Sequence, residues 1–246
     1  MKETARLFYA LLRRPAEALP SFIAADSGLK APLLIFALYS ALHALVLPEL
    51  PPAFVPEAPA LAFGNPYYYY LSAAPLNLFI GAVLAALLPW AADFFSAGRI
   101  AIRVAAAAGL VLVSFAAAAA SGYAAVISWF FPPAFIGLTL LAFRPRKKNC
   151  RGLFTVILAA SSVSLAMIPA EALAIALNSK PLFEITAAIE AVWILWLMVK
   201  SLALMGHSSL PRTVAAAFFA VALCGALIFN LAKLLPENLA AILLIC

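Results

Sequence analysis

Two glutamates set inside long apolar runs are the groups best placed to do chemistry in this sequence. Glu171 lies about seven residues before the polar turn Asn178-Ser179-Lys180-Pro181, and Glu190 about six residues into the apolar run after it. At 1.5 Å per residue both sit roughly 10 Å below one membrane surface. Ionisable groups inside a bilayer are costly, and they usually face a bundle interior or a water-filled cavity. Ser164, Glu171 and Asn178 recur every seven residues, which puts them on one helix stripe, and Thr186, Glu190 and Trp193 share a face of the next helix. His43, Asn77 and Asn230 reach a similar depth. If the two runs are antiparallel neighbours, the carboxyls would share a proton or hold a cation between them. Such a chamber would bind protons, cations or a cationic headgroup. The competing reading is a structural hydrogen-bonded cluster whose carboxyls are neutral or snorkel to the interface.

Other chemistry is poorly represented. The two histidines, His43 and His207, form no His-x-x-x-His pair for a metal. There is no Gly-x-Ser-x-Gly elbow, no Walker loop and no Gly-x-Gly-x-x-Gly. Asp26 and Asp93 lie too far apart for a metal-dependent phosphatidyl-group transferase, which needs several aspartates close together. Cys150, Cys224 and Cys246 make no Cys-x-x-Cys pair. The loop residue His207, beside Ser208 and Ser209, reads as a solvated turn. We therefore expect no enzyme activity, no metal and no cofactor.

The elements that hold these groups follow from composition. Of 246 residues, 67% are apolar and 11% charged, against roughly 45–50% and about 25% in soluble domains. The mean hydropathy is +1.08. A water-soluble globule cannot use so much apolar surface, so the fold class is an all-α polytopic transmembrane bundle. The expected spans are Ala31–Leu47, Leu71–Phe95, Leu153–Leu177, Ile185–Met205 and Thr213–Leu235. Between Val104 and Phe143 lie 40 residues without a charge, too many for one span and suited to two, with Ser121-Gly122 as the turn and Pro132-Pro133 as the alternative break. That makes seven spans; a re-entrant version of this stretch would leave five or six. Prolines between Pro48 and Pro59 enforce an extended loop, and Tyr67 to Tyr70 read as an interfacial belt.

Charge orients the bundle. Lys2, Arg6, Arg13, Arg14, Lys30, Arg99, Arg103, Arg144, Arg146, Lys147, Lys148, Arg151, Lys200 and Arg212 fall on one side of this topology, and only Lys180 and Lys233 on the other. The positive-inside rule then places the N-terminus inside. The net charge of +6 reports this asymmetry, not a nucleic-acid surface. Residues 1–30 form a cytoplasmic lead-in and 31–246 the transmembrane domain. In the lead-in, Leu7, Phe8, Leu11 and Leu12 recur at helical spacing among basic residues, as in a helix lying in the headgroup layer. Arg13-Arg14-Pro15 closes its apolar stretch too early for a cleavable signal. The basic run Arg144, Arg146, Lys147, Lys148 and Arg151 is expected to touch anionic lipid headgroups first and a membrane-protein partner second. The lipid bilayer is thus the first expected partner.

Four stretches carry a family likeness. They are Leu12-Arg13-Arg14-Pro15-Ala16-Glu17-Ala18-Leu19 with Gly28-Leu29-Lys30-Ala31-Pro32-Leu33-Leu34; Ser96-Ala97-Gly98-Arg99; Leu153 to Pro169, ending Met167-Ile168-Pro169; and Trp193 to Leu204 followed by Gly206-His207-Ser208-Ser209-Leu210-Pro211-Arg212. Together these cover about half the chain, and the arrangement resembles the bacterial branch of the Yip family of multispanning membrane proteins. The family usually has about five spans, so Val104–Phe143 is an extra hairpin, and the Asp-Leu-Tyr-Gly-Pro-type segment of eukaryotic members is absent. The resemblance implies a non-enzymatic accessory or membrane-organising role, in the inner membrane for a bacterial chain, and supplies no catalytic residue. The alternative function is a small transporter or channel built on the Glu171/Glu190 level.

Overall fold

Prolines and polar turns cut the apolar chain into helices. The computed structural model describes residues 2–23, 28–51, 54, 65–119, 137, 147–206 and 209–234, and every regular element among them is helical. In chain order these are α1 (Lys2–Arg13), α2 (Pro15–Ile23), α3 (Lys30–Val46), α4 (Pro66–Leu71), α5 (Ala73–Ser96), α6 (Ile100–Ala119), α7 (Lys147–Ala176), α8 (Lys180–Met205) and α9 (Leu210–Leu234). Pro15 opens α2, and Pro181 stands in the first turn of α8, where a missing N–H costs nothing. Pro89 and Pro169 lie inside α5 and α7, where each removes a backbone hydrogen bond.

Five stretches, Lys30–Glu49, Ala73–Ser96, Asn149–Ala176, Lys180–Met205 and Leu210–Lys233, are 20 to 28 residues long and apolar enough to cross a bilayer. Ile100–Ala116 is a shorter apolar helix. The protein is an all-α, multi-pass helical bundle. The seven-span reading needs a further crossing after α6, in a stretch that lies outside the described residues. Two starts move: α7 begins at Lys147 rather than Leu153, because lysine and arginine are good helix formers, and α8 at Lys180 rather than Ile185, because Pro181 suits a first helical turn.

Helix ends meet in two sets. Arg212, at the start of α9, donates to the carbonyls of Phe95 (3.1 Å), Ser96 and Gly98 (3.0 Å) at the end of α5. Gly152, near the start of α7, lies against Ile23 of α2 and Met205 at the end of α8. Lys30, Arg99, Arg103, Arg151 and Lys200 share this basic end by their places in the helices, while Lys180 and Lys233 belong to the opposite end.

At the basic end the bundle closes on one apolar core. Leu87, Leu88, Ala91 and Phe95 of α5 meet Leu153 of α7, Val199 and Leu202 of α8, and Ala216 and Ala220 of α9. An aromatic cluster caps it: Phe95 and Phe219 stand edge to face at 5.9 Å, Trp90 is 5.7 Å from Phe219, and the Arg103 guanidinium lies 4.8 Å over Phe94.

The N-terminal helices are amphipathic as their sequence pattern indicates, but their apolar face is packed against protein. Leu11, Ala18, Leu19 and Phe22 are buried with Val156, Ala159, Ala160 and Val163 of α7 and Leu197 of α8. Alanines on α7 allow the close approach, as does Gly152, where an added Cβ would stand 2.9 Å from the Ile23 carbonyl oxygen. Residues 2–23 therefore form a helical hairpin clasped to the bundle.

Candidate functional site

Away from the basic end, α3, α5, α7 and α8 part around a cavity of about 310 Å³. Its walls are largely apolar, and a few polar groups converge in it, as in most small-molecule sites. Tyr39, Ser40 and His43 enter from α3, Asn77 from α5, Ser161 and Ser164 from α7, and Glu190 from α8. Helical spacing explains the convergence, because Ser40 and His43, like Ser161 and Ser164, are three residues apart and share a face. The rings of Tyr39 and His43 stack at 5.0 Å, with the Tyr39 hydroxyl 3.5 Å from His43 Nδ1. The Ser40 hydroxyl is closed off from solvent and has no hydrogen-bond partner among the described residues.

Glu171 lies seven residues beyond Ser164 on the same side of α7. It is only 8% exposed, and its carboxyl lies close enough to that of Glu190 for the two to interact by charge. Neighbouring carboxylates out of water repel, and a proton or a cation between them would relieve that repulsion. Leu47 and Tyr70 mark the outer rim. There Tyr67 donates a 3.2 Å hydrogen bond to Glu49, and that bond and charge push its phenol up from the ordinary value. Burial pushes the Tyr70 phenol up in the same direction.

The inner end is apolar. Leu84, Leu158 and Met198 line it, and Leu84 and Met198 belong to the core of the basic end. Ser201, buried below them on α8, donates to the Leu197 carbonyl of its own helix at 2.7 Å. Among the described residues the polar lining does not run on from Glu190 to Lys200 or Arg212.

Of the five residues expected at one depth, the structure brings together His43, Asn77, Glu171 and Glu190. Asn230 is the correction. It is buried between α9 and α6, donating to the carbonyls of Ser114 (3.2 Å) and Ala226 (2.8 Å), and takes no part in the cavity. Equal depth does not imply an equal bearing, and the face of α9 that holds Asn230 looks toward α6. In the basic run, Arg151 is exposed near the start of α7, and the backbone of Lys147 and Lys148 forms its first turn. Arg144, Arg146 and His207 lie outside the described residues. Tyr39, Ser40 and Ser161 were not anticipated, although the i, i+4 pair Tyr39/His43 and the i, i+3 pair Ser161/Ser164 were available signals.

The arrangement can bind a proton or a small cation through Glu190 and Glu171, with stacked rings and hydroxyls to orient an attached organic group. No group of three or more His, Cys, Asp or Glu suited to a metal occurs among the described residues. No family model, curated protein or solved structure matches the chain.

Proposed function

We propose that this multi-pass membrane protein is a non-enzymatic accessory or membrane-organising protein of the Yip type, acting by binding rather than by catalysis or conduction. The observation that carries this reading is a polar chamber that ends blindly on a closed apolar core. A channel needs a wet route across the bilayer, and here leucine, methionine and phenylalanine fill the space below Glu190. The four stretches that resemble the Yip family support the same role, and the exposed basic end is the surface that a membrane-protein partner or anionic headgroups would meet. For a bacterial chain the site of action is the inner membrane.

A second reading keeps the chamber as the loading site of a small cation or proton transporter. The Glu171–Glu190 pair favours it, because a shared proton at a cavity wall is exchangeable. Reconstitution into liposomes separates the two readings. With a pH dye and potassium or sodium gradients, the accessory reading expects flux no greater than in protein-free vesicles. Flux that is saturable and lost in Glu171→Gln/Glu190→Gln would overturn it in favour of transport.

A further inference from the structure

We propose that the α1–α2 hairpin and the adjoining face of α8 form a binding site for one anionic phospholipid. The arginines of the hairpin take the phosphate, and a groove along α8 takes an acyl chain.

The polar half of the site lies on the hairpin. Arg6, Tyr9, Arg13, Arg14, Glu17 and Ser21 surround a recess of about 420 Å³. Arg13 donates to the Tyr9 hydroxyl at 2.6 Å and lies 5.6 Å over its ring. Arg14 stands 3.5 Å from Glu17, both of them well exposed. Three guanidinium groups therefore face one carboxylate, and a phosphate would balance the excess. Guanidinium forks match phosphate oxygens two at a time.

The apolar half begins at the next residues of the same turn. Leu12 and Pro15 flank Arg13 and Arg14 in sequence, and they close one side of a groove of about 640 Å³. Along α8 the groove is lined by Ile185, Ile189, Val192, Trp193 and Trp196, most of them exposed. Among the described residues no charged, hydroxyl or amide side chain lines it. Because α8 is a membrane-spanning segment, this face meets hydrocarbon, and an acyl chain is the occupant whose chemistry fits.

The cationic groups lie on the side of the groove nearer the basic end. Lys200 lies 5.7 Å over the Trp196 ring, so cationic groups of α8 and of the hairpin gather at the basic end of the groove, while its other end runs toward Ile185. Trp193 is near the middle of the 26-residue α8, roughly 20 Å from either end. The tip that packs beside it thus carries Arg13 and Arg14 below the level of ordinary headgroups. Arginine at such depth is costly without a counter-charge. The polar strip from Arg6 and Ser21 to the tip lets a phosphate sink to meet it.

The test uses the intact protein in mild detergent, titrated with phosphatidylglycerol or phosphatidylcholine and read by native mass spectrometry. The wild type should retain phosphatidylglycerol roughly tenfold better. Arg13→Gln/Arg14→Gln should bring the ratio near one, and Arg13→Lys/Arg14→Lys should keep part of it. Ala188→Phe, which fills the groove, should weaken both lipids and leave their ratio unchanged. Equal retention by the wild type, an unaltered ratio in the glutamine variant, or displacement of the lipid by millimolar inorganic phosphate would each overturn the proposal. The last result would mean a phosphate site without a lipid.

Discussion

The two ends of the bundle share α5, α7 and α8 and differ in almost everything else. At the basic end α5, α7, α8 and α9 close on leucine, alanine and phenylalanine, and Arg212 ties α9 to α5. Toward the other end α5, α7 and α8 join α3 around a chamber holding His43, Asn77 and Glu190. In lipid, where apolar side chains gain little by leaving hydrocarbon for protein, tight packing and satisfied polar groups hold helices together. The closed end supplies that cohesion. Freed from it, the open end can keep carboxyls and hydroxyls whose hydrogen bonds are available to a ligand.

Substitutions can test this division, beginning where the loss should be greatest. Phe95 is 1% exposed at the centre of the aromatic cluster, so Phe95→Ala should cost about 3–5 kcal/mol, measured by reversible unfolding in mixed micelles. Arg212→Ala removes a charged donor from three carbonyls and should cost about 2 kcal/mol, with Arg212→Lys recovering only part. Gly98 has φ of +71°, so Gly98→Ala should cost about 1 kcal/mol.

At the open end the expected stability changes fall away. Glu171→Gln/Glu190→Gln keeps shape and hydrogen bonding, and should leave stability within about 0.5 kcal/mol of the parent while abolishing cation or proton binding in the chamber. A large loss of stability in that variant would mean the pair is part of the scaffold, and the contrast between the ends would fail. Smallest of all is the rim contact of Tyr67 with Glu49. It needs a neutral phenol, so it is present at neutral pH and is lost as pH rises beyond the ordinary tyrosine value of about 10. Absorbance titration should show two late-ionising phenols, Tyr67 and Tyr70, of which one disappears in Tyr67→Phe.

How much of this could be read from residues alone depends on what periodicity encodes. Apolar runs mark helices long enough to span a bilayer, so the bundle and the limits of α3, α5 and α9 were available within a few residues. Depth is also encoded, because residues counted from a turn convert to ångströms, and that is how Glu171 and Glu190 could be paired. Bearing around the helix axis is not encoded when nearly every face is apolar. Asn230 shares the depth of the chamber yet bonds to Ser114. The lead-in shows the same limit: its amphipathic pattern marks Leu11 and Leu19 as a face to be buried, and nothing local says whether lipid or Ala159 and Ala160 will cover it.

The turn between α7 and α8 bears on biogenesis. Leu177 and Asn178, the latter at φ of +48°, reverse the chain within a few residues, so the glutamate in each helix is 19 positions from its partner. A carboxyl delivered to the bilayer singly would resist insertion. Delivered as one hairpin, Glu171 and Glu190 enter already facing each other, before α9 has been synthesised, and the short turn makes that joint entry the natural unit of assembly.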